Sequence, residues 1–397
     1  MQSDENLSRH WRLDPDVRPL NHGSFGACPT VVLEHQRALA DELERDAIRF
    51  MDDELESRLD AARRVLSMFI GADPDDVVFV PNATHGVNAV LRSMQFASGD
   101  ELLVTDHEYN ACTNALRFVA ERWGARIVVV DVPTPIHSAD EVIESVLDHV
   151  SGRTRLALLD HVTSQTGLVL PIARLVRELA AQGVESLVDG AHAPGMVPLD
   201  VSGINAAYYT GNCHKWICGP KGTGFLHVRS DLQGRVHPTV ISHGANSTRT
   251  DRSRFQLEFG WIGTMDPTAH LCVPKAIETM GAMVAGGWPE VMERNHSLCL
   301  QARELVHRRL GFEPIAPDDM IGSMASFRLP DGTGDAPIPG LTLDPLKRAL
   351  YETHGIQVPV FPWPSFPSRM LRISAQLYNS MSDYEALCDA LEAELKA

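Results

Sequence analysis

The hydrophobic positions of this chain change period along its length. Over residues 76–228, short runs rich in β-branched and aromatic residues alternate with longer stretches in which apolar residues recur every three or four positions. That alternation predicts a largely parallel sheet covered by helices. Strands are expected at 76–80, 102–105, 126–131 and 155–162, in the run ending at Asp189, and at 223–228. Between them Val87, Val90, Leu91 and Met94 share one helical face, and Val142, Ile143, Val146, Leu147 and Val150 share another. Ile172, Leu175, Val176 and Leu179 form a third, in a helix opened by Pro171. Helical stretches at 267–285 and 288–310 then lead away from the sheet. Beyond Gly311 the pattern becomes a smaller α+β unit, with strands at 323–328, 357–361 and 370–374 and a helix at 344–353. A final helix carries Leu387, Leu391 and Leu395 as its buried stripe, with Ser382 and Glu385 as its capping box. The expected division is a polar N-terminal arm over 1–20, a large domain over 21–287 and a small domain over 288–397.

Composition narrows the classes of function. At 397 residues the chain is long enough for two domains around a large core. A net charge of −17 argues against a nucleic-acid surface, which needs basic residues to neutralise phosphates. The start Met1-Gln2-Ser3-Asp4-Glu5-Asn6 lacks the basic head and apolar core of a signal peptide, and no segment offers about 18 uninterrupted apolar residues. A cytoplasmic protein that does not engage membranes is the expectation. The seven cysteines form no Cys-x-x-Cys pair, and an odd number fits reduced thiols better than a disulfide framework. No metal site is expected.

The candidate chemistry centres on one lysine. Lys215 stands in Gly211-Asn212-Cys213-His214-Lys215-Trp216, just after a strand-like stretch, where a solvated charge is badly placed. Upstream, Asp189-Gly190-Ala191-His192 puts an acid at the end of the apolar run Ser186-Leu187-Val188. A Schiff-base lysine with a carboxylate in reach of a pyridine nitrogen is the pairing of a pyridoxal phosphate (PLP) site. The phosphate of such a cofactor belongs where a helix starts, because backbone N–H groups and the helix dipole favour an anion there. Asn82-Ala83-Thr84-His85-Gly86 lies at a strand-to-helix junction of that kind, although Thr84 reads equally as an N-cap.

These residues resemble the class V aminotransferase family of fold-type I PLP enzymes, in the branch of isopenicillin N epimerase and the hercynylcysteine sulfoxide lyases. The resemblance rests on Leu20-Asn21-His22-Gly23-Ser24-Phe25-Gly26, Asn82-Ala83-Thr84-His85-Gly86-Val87-Asn88 and His161-Val162-Thr163-Ser164-Gln165-Thr166-Gly167. It continues in Asp189-Gly190-Ala191-His192-Ala193-Pro194-Gly195, His214-Lys215-Trp216 and Arg372-Ile373-Ser374. It implies an α/β fold with a mostly parallel seven-stranded sheet and a small α+β C-terminal domain. It also implies that Tyr109 stacks on the cofactor, that His192 lies near its phenolic oxygen, and that Ala83, Thr84, His85 and His214 surround its phosphate. Ser164 takes the place where many desulfurases carry an Asn to the cofactor oxygen. Thr264, after Gly263, would reach the phosphate of a neighbouring subunit, so a homodimer is implied. Arg372 would clamp the carboxylate of an amino-acid substrate with both guanidinium nitrogens, and Asn21 and His22 would enter the substrate pocket from the arm.

The chain has no cysteine between Cys299 and Cys388, and the segment before Arg372 reads Phe361-Pro362-Trp363-Pro364-Ser365-Phe366-Pro367. A cysteine desulfurase needs a thiolate there, so that activity is not expected. The segment reads as a stiff apolar wall for a bulky side chain or, equally, as a rigid connector. Among reactions at Cα, β-elimination from a cysteine S-conjugate needs only one base, Lys215. Epimerisation needs a second acid on the opposite face, and the sequence identifies none. Decarboxylation with oxidative deamination, and transamination, are further alternatives.

Overall fold

The computed structural model describes residues 7–338 and 342–396. Twelve strands are defined among them. They are β1 (Arg18–Pro19), β2 (Val77–Val80), β3 (Glu101–Thr105), β4 (Arg126–Val130), β5 (Thr154–Asp160), β6 (Glu185–Gly190), β7 (Tyr208–Asn212), β8 (Gly224–Val228), β9 (Met324–Leu329), β10 (Ile356–Gln357), β11 (Val360–Pro362) and β12 (Arg369–Ser374). Seven of them form one sheet in the order β2-β8-β7-β6-β5-β3-β4. All neighbouring pairs from β7 to β4 are parallel, and only β8 runs against both its neighbours. The expected mostly parallel, seven-stranded α/β sheet is therefore what the chain builds.

A parallel sheet is buried on both faces, and the side-chain alternation of the strands shows how. Leu156 and Leu158 of β5 and Leu187 of β6 enter one core with Val87, Cys112 and Leu116. Ala157, Leu159 and Val188 enter the other, which continues into Ala325, Phe327, Met370 and Leu371 of the C-terminal unit. That second core ties the small antiparallel sheet β11-β12-β9 to the large one.

The helices used below are α1 (His22–Phe25), α2 (Thr30–Arg45), α3 (Leu55–Ile70), α4 (Ala83–Ser93) and α5 (Asn110–Trp123). The cap of α4 is Asn82, whose side chain accepts from the His85 N–H. Thr84 is therefore not the N-cap. Gly86 lets α4 close on β7, since a Cβ there would collide with the Thr210 side chain.

Several expectations are corrected. The capping box of the last helix is formed by Ser380 and Asp383, two residues earlier than Ser382 and Glu385. Met94 is the C-cap of α4, and the helix near 142–150 ends at Leu147, leaving Val150 outside it. The 267–285 stretch breaks into Thr268–Leu271 and Val273–Gly281, with Pro274 starting the second piece. The 357–361 strand divides, because β10 pairs with β1 while β11 pairs with β12. The arm is not simply polar, since Leu7 and Trp11 are buried against Cys218, Met280, Val291 and Leu377. The helices α2 and α3 were not among the elements expected from the sequence.

Candidate active site

Lys215 lies three residues beyond β7, in the turn that leads back into β8. Its Nζ is 3.0 Å from His192 Nε2, and the Trp216 indole donates to His192 Nδ1 at 3.3 Å. That second bond decides the tautomer. A neutral imidazole that accepts at Nδ1 carries its proton on Nε2, so His192 can donate to the amine once the amine has lost its proton, and the contact favours that form. Burial works in the same direction. It holds His192 well below its ordinary range and pulls Lys215 down to about 8, against the opposing pull of Asp189.

Asp189 closes β6, and its parity puts it on the same face as Leu187, towards α5. Its Oδ1 accepts the Ala191 N–H at 2.9 Å, and its Oδ2 accepts the Cys112 thiol at 3.1 Å. Burial raises its carboxyl, while Cys112, Ala191 and Lys215 hold its charge. At the mouth of α4, the Ala83 N–H donates to Asn212 Oδ1 at 2.9 Å. The His85 ring meets the Thr239 hydroxyl at 2.8 Å. His214 is partly buried, its Nδ1 accepting no backbone N–H but lying 3.0 Å from the Thr223 carbonyl, to which it donates. Tyr109 precedes α5 with 44% of its surface exposed.

Arg372 of β12 is buried and stands between three parts of the chain. Nη1 donates to the Ser164 carbonyl, and Nη2 donates to Asn21 Oδ1 at 3.1 Å and Ser24 Oγ at 3.2 Å. Its Nε is buried without a partner, and the guanidinium's bonds among the described residues go to a carbonyl, an amide oxygen and a hydroxyl. Burial lowers its ordinarily very high pKa to about 10. Asn21 thus meets Arg372 directly. His22 sits differently from the expectation that it enters the substrate pocket. One ring nitrogen lies 2.9 Å from the Tyr378 hydroxyl and the other 3.0 Å from the Lys215 carbonyl, and burial drops its pKa to about 3. Both nitrogens are occupied, so the ring braces the Lys215 segment. Gly26, with φ +71°, permits that approach, because a Cβ there would strike the backbone of His214 and Lys215.

Thr264 is exposed, and Gly263 lines a groove of about 540 Å³ that also includes Phe79, Arg249, Arg252, Trp261 and Ile262. None of Lys215, Asp189 and Arg372 lines this groove. The 361–367 segment is the connection from β11 to β12, and its Trp363 turns inward to meet His107 edge-on at 4.9 Å. Sequence reasoning missed Glu108 and Asp160, buried acids beside Asp189, and Ser24, a ligand of Arg372. A signal existed for both acids. Glu108 precedes Tyr109 in a motif already singled out, and Asp160 ends an apolar run as Asp189 does.

Comparison with known proteins agrees with this geometry. The model of the class V aminotransferase family matches residues 29–387. An isopenicillin N epimerase of Amycolatopsis lactamdurans is 35% identical, covering 98% of this chain and 97% of its own length. A probable chloroplastic L-cysteine desulfhydrase of Arabidopsis thaliana is 32% identical, covering 98% and 86%. Among solved structures, a C-DES mutant with glycine covalently linked to the PLP cofactor superposes with a TM-score of 0.79 at 23% identity, covering 97% and 98%. PLP is the cofactor, and the donor set fits it. Lys215 after β7 and the buried Asp189 of the adjacent β6 are joined by the α4 N-terminus, tied to β7 through Ala83 and Asn212, and by Arg372 of the small sheet with its unpartnered N–H.

Proposed function

The chain belongs to the class V aminotransferase family, and from that premise we propose that it is a carbon–sulfur lyase acting by β-elimination on a cysteine S-conjugate with a bulky side chain. The observation that carries the reading is the setting of Lys215, an amine 3.0 Å from His192 Nε2 whose pKa burial pulls down to about 8, so that it gives up its proton far more readily than an ordinary lysine. When bound, PLP supplies a ring that withdraws electrons from the substrate's Cα bonds. Asp189 holds a proton at the ring nitrogen, and Arg372 binds the substrate carboxylate through donors that no carboxylate among the described residues neutralises. Lys215 Nζ then takes the Cα proton. The electron pair left at Cα forms the Cα–Cβ double bond as the Cβ–S bond breaks, and the thiolate leaves. The released aminoacrylate hydrolyses to pyruvate and ammonia. Inversion at Cα needs a second proton donor. His22 and His192 are both committed at each ring nitrogen, and this supports elimination.

The second reading is an epimerase, favoured by the relative of that name at 35% identity. Incubation of the holoenzyme in D₂O with a cysteine S-conjugate, and separately with a bulky L-amino acid lacking a leaving group, separates the two. Elimination gives pyruvate and free thiol. Deuterium at Cα with inverted configuration and no pyruvate would replace the lyase by the epimerase. A cysteine desulfurase does not fit this reading, because the segment before Arg372 carries Trp363 and prolines and no cysteine.

The assembly we propose is a homodimer in which a second copy covers the groove beside Gly263 and receives Thr264 at its own phosphate site. The apolar lining by Phe79, Trp261 and Ile262 supports this. A monomer in sedimentation would remove it. Among the described residues no helix is long and apolar enough to cross a membrane. All seven cysteines are free and buried, which supports the expected cytoplasmic setting.

A further inference from the structure

Behind Asp189 the chain buries two more acids that the proposed reaction does not use. Asp160 ends β5 and is the register partner of Asp189 on β6, and both share the parity of the leucines that face α5. Glu108 follows β3, the neighbour of β5 on its other side, and leads into α5. Three adjacent parallel strands therefore deliver three carboxyl groups to one dry corner, each at most 5% exposed. Oxygens of Glu108 and Asp189 and the Cys112 sulfur lie within 4.8 Å of one another. No arginine donates to any of the three. The cation in reach is Lys215, which favours the ionised forms of Asp160 and Asp189 and is itself lowered to about 8 by burial. Tyr209, whose side chain faces the other core, bonds to His161 at 2.8 Å.

The hydrogen bonds of the three acids are unequal. Asp189 has the Ala191 N–H on one oxygen and the Cys112 thiol on the other. Glu108 Oε1 accepts the Tyr109 N–H, but Glu108 Oε2 and Asp160 Oδ2 are buried with no partner. Those two carboxyl groups are hydrogen-bonding neighbours. Two ionised carboxylates brought together have nothing to donate, whereas one proton between them supplies the missing hydrogen bond.

We propose that Glu108 and Asp160 hold one shared proton as a carboxylic acid–carboxylate pair, a positioning element that leaves Asp189 to face the cofactor ring as the separately ionised acid. Burial drives both members well above the usual carboxylate range, and Asp189 less so because its own donors hold its charge. The pair carries a single negative charge. Replacing either member by its amide keeps that charge, because the amide N–H supplies the hydrogen bond and the proton is no longer needed. Replacing both removes it.

Two readouts test this on the holoenzyme. Infrared spectra in D₂O at pH 8 report the C=O stretch of a neutral carboxylic acid, at a pH where Asp76 and Asp106, raised to about 6, are ionised. The band is expected in the wild type and lost in Glu108→Gln and in Asp160→Asn. The visible absorbance of the bound cofactor gives the second. Its pH midpoint is expected not to move in either single variant, and to fall by about one unit or more in the double variant. A wild type without the band, or a band that survives both single substitutions, overturns the proposal. So does a single variant whose midpoint falls like that of the double variant. The infrared reading of the wild type needs no variant to fold, and neither readout depends on which bond of the substrate breaks.

Discussion

The two ends of the site are built in opposite ways. The Asp189 end is assembled from the C-terminal edges of three neighbouring strands of one sheet, β3, β5 and β6, with α5 laid over them. The Arg372 end draws Asn21 and Ser24 from the arm, the Ser164 carbonyl from the large sheet and the guanidinium from β12, so that contacts span about 350 residues of chain. At the first end acids outnumber cations and need protons and thiols to coexist. At the second a cation lacks an anion and keeps a buried N–H without a partner. The proposed function assigns its two ligands by this difference. An electron-poor ring suits the first end, and a carboxylate suits the second.

Lys215 stands between the two ends, so its removal breaks the comparison most completely. Lys215→Ala is expected to bring turnover below detection while circular dichroism stays native, and retained turnover would undo the central assignment. Asp189→Asn removes the one acid that both flanking donors support, and turnover is expected to fall by about 10²-fold or more. A change of only a few-fold would move the ring nitrogen's partner elsewhere. Arg372→Ala acts at the other end. It is expected to raise KM for the amino-acid substrate by about 10- to 100-fold, the worth of hydrogen bonds to a charged group, with a smaller effect on kcat. If kcat fell and KM did not, the guanidinium would be serving the chemistry rather than the binding.

A titration sharpens the contrast without a substrate. The folded chain lowers Lys215 from 10.5 to about 8, so between those values the unfolded chain binds more protons than the folded one. Stability of the cofactor-free protein therefore gains from this group as pH rises from about 8 to 10.5. Denaturation of wild type and Lys215→Met across that window reads it, and parallel curves would mean that the lysine is not desolvated. The smallest effect is expected from Ser24→Ala. It removes one of two bonds to Arg372 Nη2, about 1 kcal/mol, or about fivefold in KM. A larger loss would show that the arm, more than β12, orients the guanidinium.

Legibility in the sequence follows the same division. Asp189 and Lys215 were readable because each follows its own strand-like run, and a strand end projects its last residue towards the ligand edge of a parallel sheet. Asp160 and Glu108 carried the same local signal, but nothing local says that two strands not adjacent in sequence will pair. His22 was misplaced for a related reason. Its motif is a short α1 turn, and only the docking of the arm decides whether the ring faces a ligand or the Lys215 carbonyl and Tyr378. Thr84 was offered as a cap because a β-to-α junction favours hydroxyls, yet Asn82 is the residue with extended backbone at that position.

What the sequence determined by itself is therefore what local periodicity and chain order can encode. These are the strands of the large sheet and the helices that connect them, the lysine after β7, the acid at the end of β6, and the absence of a thiol in the segment before Arg372. The tertiary structure alone decided the pairing of β1 with β10, the meeting of Arg372 with Asn21 and Ser24, the tautomer of His192 and the contact of Glu108 with Asp160. Each of these is a partnership between groups distant in sequence. Its energy comes from desolvating both at once, and that cost exists only after the chain has closed around them.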